Sequence, residues 1–356
     1  MNTRIIEYLE VIFTSFKARD YLFDNYKALL IILVIIGHFI QPCYDNNILL
    51  YTVKYVIYAF HMPAFIFISG YFSKKNTSWQ KSFQKVLMPY FSFELIYYFY
   101  YNYCLGLNTD LNLAVPKFSL WYLLALFVWK IATPYVRCIP HYFGLSVVAG
   151  LAIGFLPAGG KIFSISRIFV FYPYFLAGTL LDREKLTSLR TNLNRMIGIS
   201  GISTFIMFVA LFADKIGLKL DFFYGKSSYT KMGQDPFEGI VMRLFCYGIG
   251  FFFTYAIAIL MKEEETIFSK LGIASMSVYL FHGLFFKFLE HKTEALTMVN
   301  GIPESILLLI CCIALAFLFS WKPLCKFTNS FAALSLSKMS AWAERHYLSQ
   351  IEYKFI

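Results

Sequence analysis

The run "DNYKALLIILVIIGHFIQ", Asp24 to Gln41, is apolar apart from its ends, yet it keeps Lys27 near one end and His38 inside. The two are eleven residues apart, so on a helix they fall within about 20° of one face with roughly 16 Å of rise between them. Asp24, three residues before Lys27, lies near the same face. A lysine at a membrane edge can extend its ammonium to water. A histidine inside the run has no such outlet, and its ordinary pKa near 6.5 suits proton transfer. The competing reading is a histidine that ties two helices together by hydrogen bonds. Ionisable residues within a span default to a functional hypothesis.

Three further residues belong to the same class. His61 precedes Pro63 in "FHMPAFIFISGYF", and the proline removes a backbone donor and predicts a kink beside the histidine. His282 lies in "SVYLFHGLF" and shares a helix face with Ser275 and Tyr279 at i, i+4, i+7 spacing. Glu94, in "PYFSFELIYYFYY", needs a partner or a proton at that depth. These polar residues on four runs are candidates for one cavity. Arg167 and Arg243 flank the outer ends of later runs and read as interfacial anchors.

The elements that must hold these residues follow from composition. The chain has 356 residues, is 58% hydrophobic and only 15% charged, where a soluble domain would be about a quarter charged. Ten apolar runs approach the ~20 residues needed to cross a bilayer: roughly 26–42, 48–72, 83–104, 118–137, 142–157, 166–181, 197–213, 239–261, 268–290 and 303–321. Backbone groups in lipid must be satisfied internally, so the expected fold is all-α, a polytopic bundle of about ten transmembrane helices. A cytoplasmic N-terminus puts 21 of the 32 Lys and Arg inside, with "SKKNTSWQKSFQK" and "DREKLTSLRTNLNR" giving the strongest bias. The expected topology is N-in and C-in. Residues 1–25 read as an amphipathic cytoplasmic lead-in rather than a signal peptide, 26–321 as the membrane domain and 322–356 as a cytoplasmic tail.

The net charge of +11 is spread between hydrophobic runs and is not gathered in a basic block, so it reads as a topology signal and no nucleic-acid partner is expected. Seven cysteines, an odd number mostly within or beside apolar runs, give no disulfide framework, and no metal-like Cys/His spacing occurs. The H-x-x-x-D pattern is missing because His38 is followed by "FIQPC", and neither a G-x-S-x-G elbow, a P-loop nor a dinucleotide fingerprint is present. The sequon at Asn76 falls on the cytoplasmic side of this topology. The outer connection 213–239 is polar with scattered aromatics and would serve either as a carbohydrate-facing entrance or as a solvated connector.

"DNYKALLIILVIIGH" resembles the first helix of the membrane-bound acyltransferase-3 family, a basic residue followed after ten residues by histidine. "FHMPAFIFISGYF" is similar to the second-helix signature of its fucose 4-O-acetylase-like branch. "QKVLMPYF", "SLWYLLALF", "SRIFVFYPYFLAGTLL" and "GIASMSVYLFHGLF" resemble later blocks in the same order, so the likeness runs from about residue 20 to residue 320. It implies an O-acetyltransferase with no bound cofactor, in a bacterial plasma membrane. Acetyl from cytoplasmic acetyl-CoA would pass to a hydroxyl of a cell-surface glycan or a lipid-linked saccharide. The resemblance carries the catalytic role to His38 and places Lys27 on the CoA side. His61, Glu94 and His282 are candidates for catalytic or acceptor-site support as polar residues within spans, and Lys27, Lys81 and Lys85 would pair with CoA phosphates as point charges. The family's R-x-x-R pattern is not met: Ser82 stands where the first arginine would align with Lys85, and Lys81 lies one position earlier. The residues alone also fit a transporter or flippase for a glycolipid or small solute, or a sensor or scaffold whose histidines merely pack.

Overall fold

The computed structural model describes residues 19–75, 78–157, 162–212 and 219–332, and every regular element among them is helical, with no strand. The long helices are α1 (Tyr21–Phe39), α2 (Ile48–Tyr71), α3 (Met88–Phe99), α4 (Trp121–Val136), α5 (Tyr142–Ala152), α6 (Ile165–Leu180), α7 (Asn192–Phe212), α8 (Pro236–Leu260), α9 (Ser275–Lys292), α10 (Ile302–Phe319) and α11 (Lys322–Ala332). Six helices are long and apolar enough to cross a membrane: α1, α2, α7, α8, α10, and α6 together with the turn that precedes it. The other four expected runs also fall on helices, but of different character. α4 and α5 are shorter, α3 is bracketed by π turns at Phe83–Leu87 and Tyr100–Leu105, and α9 carries Lys287, Glu290 and Lys292 near its end.

Burial separates helices that hydropathy alone does not. α1 is enclosed, with Leu22, Ile31 and Ile35 inaccessible, whereas α7 buries little beyond Gly198 and Val209. A helix apolar all round is either central or lipid-facing, and here both kinds occur. α1 packs against α2, α9, α10 and the short helix Ser269–Ile273, while α2 packs against α6, α7 and α8. The α2–α6 contact is the closest kind, because a Cβ at Gly70 would strike the Phe175 carbonyl and one at Gly178 the Phe67 carbonyl. Small residues permit such backbone approach between helices in lipid.

The start of α1 is pinned by side-chain bonds. Asn25 donates to the carbonyls of Lys262 (3.0 Å) and Glu264 (2.9 Å) and accepts from the hydroxyls of Thr266 (2.7 Å) and Ser269 (2.6 Å). Its amide is thus fully used. These bonds explain why α1 begins at Tyr21 and not at 26. Of the expected lead-in only residues from Arg19 onward are described, and Asn76 lies outside the described residues. The expected C-terminal tail begins as α11, which packs on α3 and α9.

Candidate active site

α1 starts and stops earlier than the run 26–42 implied, so His38 sits in its last turn and not near its middle. The ring is half-buried, its centroid 4.5 Å from Phe118, 5.3 Å from His282 and 6.1 Å from Phe286. His38 lines a cavity of about 290 Å³ whose wall also includes His61, Gln41, Tyr58, Tyr122, Arg167 and Tyr279. Residues from α1, α2, α4, α6 and α9 and from the 219–235 connection therefore meet in one space. Largely preformed concave sites with a few polar groups are where small substrates bind.

The tautomers of two histidines follow from their partners. His61 Nδ1 is 2.7 Å from the Ile57 carbonyl, and His282 Nδ1 is 3.2 Å from the Val278 carbonyl. A carbonyl only accepts, so Nδ1 carries the proton in each and Nε2 keeps a lone pair. His61 brings that lone pair to the cavity wall. His282 is fully buried behind His38, and its Nε2 has no hydrogen-bond partner among the described residues.

Glu94 does not line the cavity. It is fully buried, its Oε1 accepts from the Lys117 backbone N–H at 2.7 Å, and Lys117 Nζ lies 3.6 Å from Oε2. The next residue, Phe118, has a φ of 50°, a left-handed conformation that costs a bulky side chain about 1–3 kcal/mol and persists only where neighbours enforce it. Glu94 supplies that enforcement and thereby sets the ring that packs on His38. Glu94→Ala is expected to loosen Phe118 and to slow any reaction that uses His38 by about tenfold to a hundredfold. Glu94→Gln, which still accepts from Lys117, restores most of the rate in a detergent assay.

Lys27, near the other end of α1, and Lys81 and Lys85, in the turns before α3, line none of this cavity. Lys27 is paired with Asp24 at 2.8 Å and stands 5.0 Å over the Phe72 ring. Lys81 and Lys85 are exposed, and Ser82 between them is buried. The two arginines behave differently from each other. Arg243 is buried and spent on the Gly150 and Ser227 carbonyls at 3.0 and 3.2 Å. Arg167, read from sequence as an anchor, is a cavity residue: its guanidinium lies 4.6 Å over the Trp121 ring and Nε donates to the Tyr224 carbonyl at 3.3 Å.

Lys54 was missed altogether. It is fully buried, donates to the Gly37 carbonyl and to Gln41 Oε1, each at 2.5 Å, and lies 4.3 Å over the Tyr58 ring. A cation at the carbonyl end of α1 complements the helix dipole and fixes the turn that carries His38. The signal was present, since a lysine within the second apolar run is anomalous for the same reason as His38.

A bundle of apolar helices with histidines and an arginine converging on an internal cavity defines a multi-span membrane protein built for chemistry or binding within the bundle. The acyltransferase-3 family model, an acyltransferase domain, matches residues 20–321, and the chain belongs to that family. It is also 48% identical over 56 residues to the nodulation protein NolL of Sinorhizobium fredii, and that stretch is 15% of either chain. No solved structure matches.

Proposed function

We propose that the protein is an O-acetyltransferase of a bacterial plasma membrane, moving acetyl from cytoplasmic acetyl-CoA to a sugar hydroxyl of a cell-surface polysaccharide or its lipid-linked precursor. The observation that carries the reading is His38, which lines a cavity wall in the last turn of α1 while Lys27 stands near the opposite end of that helix and Lys81 and Lys85 are exposed away from the cavity. Ten crossings with both termini in the cytoplasm would put those lysines on the acetyl-CoA side, where they would meet CoA phosphates as point charges.

The chemistry follows from the side chains. An imidazole nitrogen of His38 takes the proton of the sugar hydroxyl as its oxygen attacks the thioester carbonyl. The new C–O bond forms, the C–S bond breaks, and the imidazolium returns the proton to the departing thiolate. An acetyl-imidazole on His38 gives the same balance in two steps. His61 supports the acceptor with its Nε2, and His282 backs the His38 ring.

Purified protein in nanodiscs should release CoA thiol from acetyl-CoA only when acceptor glycan is added. Movement of glycolipid or solute without thioester consumption would favour a transporter instead. Lys81→Gln and Lys85→Gln should each raise the KM for acetyl-CoA by up to about fivefold with kcat steady, as exposed point charges do, and high salt should mimic the change.

A further inference from the structure

Arg167 holds unused hydrogen-bonding capacity. A guanidinium has five N–H donors, and Nε alone has a protein acceptor, the Tyr224 carbonyl at 3.3 Å. Its four Nη hydrogens have no acceptor among the described residues. Arg243 makes the contrast, since both of its Nη atoms are bonded to carbonyls. No Asp or Glu among the described residues lies within ion-pair distance of Arg167 or of Lys226, and none of the described residues lining the cavity is a carboxylate.

The two cations are built into one unit. Tyr224 gives its carbonyl to Arg167 and its ring face to Lys226, whose Nζ lies 4.9 Å from the ring centroid. Gly225 between them has a φ of 62°, and its carbonyl accepts from Ser166 Oγ at 2.8 Å, which fastens the turn to the start of α6. A side chain at Gly225 would be strained there. Partial desolvation, and after it the Arg167 guanidinium, draw the Lys226 ammonium below the ordinary lysine pKa, against a weaker opposing pull from Asp221. Two cations held together with no carboxylate in ion-pair reach are a receptor for an anion.

We infer that Arg167 and Lys226 receive an anionic group of the acceptor, either a carboxylate on the sugar or the phosphate that joins a saccharide to its lipid. The inference rests on the transferase reading for the word acceptor, because the donor's phosphates are assigned to Lys27, Lys81 and Lys85, none of which lines the cavity. The anion would anchor the acceptor while a hydroxyl of the same molecule reaches His38.

The test is binding without turnover. Ligand-observed NMR on protein in nanodiscs would compare methyl β-D-glucuronide, α-D-glucose 1-phosphate and the neutral methyl β-D-glucoside. At least one charged probe should bind about tenfold tighter than the glucoside, and whichever it is tells carboxylate from phosphate. Arg167→Gln should reduce that advantage to within about twofold, Lys226→Gln should reduce it partly, and His38→Ala should leave it intact. Should Arg167→Gln fail to fold, Lys226→Gln, a change at an exposed side chain, and a titration from low to high salt on the unaltered protein decide the matter, and the advantage must shrink in both. Equal binding of all three probes, or an advantage that survives Lys226→Gln and high salt undiminished, overturns the inference. Loss of acetyl transfer as an activity with the charge preference preserved would overturn only the transferase reading.

Discussion

His38→Ala is expected to lower acetyl transfer by about 10²- to 10⁴-fold, the usual contribution of a positioned general base, while the protein still inserts and folds. The ring is half-buried on a cavity wall, so its removal enlarges an existing space and leaves the core of α1 untouched. Lys54 and Tyr58 hold the Gly37 carbonyl and keep the last turn in place without it. His38→Gln keeps hydrogen-bonding capacity and loses basicity, so it should be nearly as slow as alanine. A histidine that only ties helices would tolerate that change. His61→Ala is the necessary companion, because His61 also brings an Nε2 lone pair to the cavity through its bond to the Ile57 carbonyl. Its loss should cost less than that of His38. Steady-state rates of thiol release from acetyl-CoA settle the order, and the reverse order would move the base to His61.

Gly178→Val should be the most damaging change to the fold. A Cβ at this position meets the Phe67 carbonyl and the Tyr71 backbone nitrogen, which are main-chain atoms and cannot rotate away as a side-chain tip does. α2 and α6 would have to separate along the contact that Gly70 shares. Overpacking in a well-packed core costs about 1–3 kcal/mol even where side chains yield, so here the expected loss lies at or above the top of that range. The damage reaches the site because α2 carries Lys54, Tyr58 and His61, and α6 carries Arg167. In fluorescence-detected size exclusion, the variant should lose most of its monodisperse peak. Gly248→Ala in α8, where an added Cβ meets nothing within 4 Å, should be neutral. Equal behaviour of the two variants would show that the α2–α6 approach is not what holds these helices.

The helical class was legible because backbone hydrogen bonding in lipid leaves helices as the default, and six of the ten apolar runs fall on helices long and apolar enough to cross a membrane. Their ends were less so. Asn25 and the connection after α8 extend α1 toward the N-terminus through bonds to residues more than 230 positions away, which no local pattern reports. Of the polar residues in spans, His38 and His61 share a cavity. Periodicity gives a residue's face on its own helix and says nothing of which neighbour that face meets. Glu94 therefore turned out to hold the backbone before Phe118, and His282 to stand behind His38. Arg167 was assigned by its position at a helix end, where Arg243 looks the same. The difference lies in their acceptors: Arg243 spends both Nη atoms on the Gly150 and Ser227 carbonyls, whereas Arg167 bonds only the Tyr224 carbonyl through Nε.

The central claim is that this cavity esterifies a surface glycan through His38. The most direct test is NMR and mass spectrometry of surface polysaccharide from cells lacking the protein, complemented with the unaltered chain or with His38→Ala at matched membrane abundance. O-acetyl ester should be present with the unaltered chain and absent with the variant. Full acetylation with His38→Ala, or the same ester content with and without the protein, would contradict it.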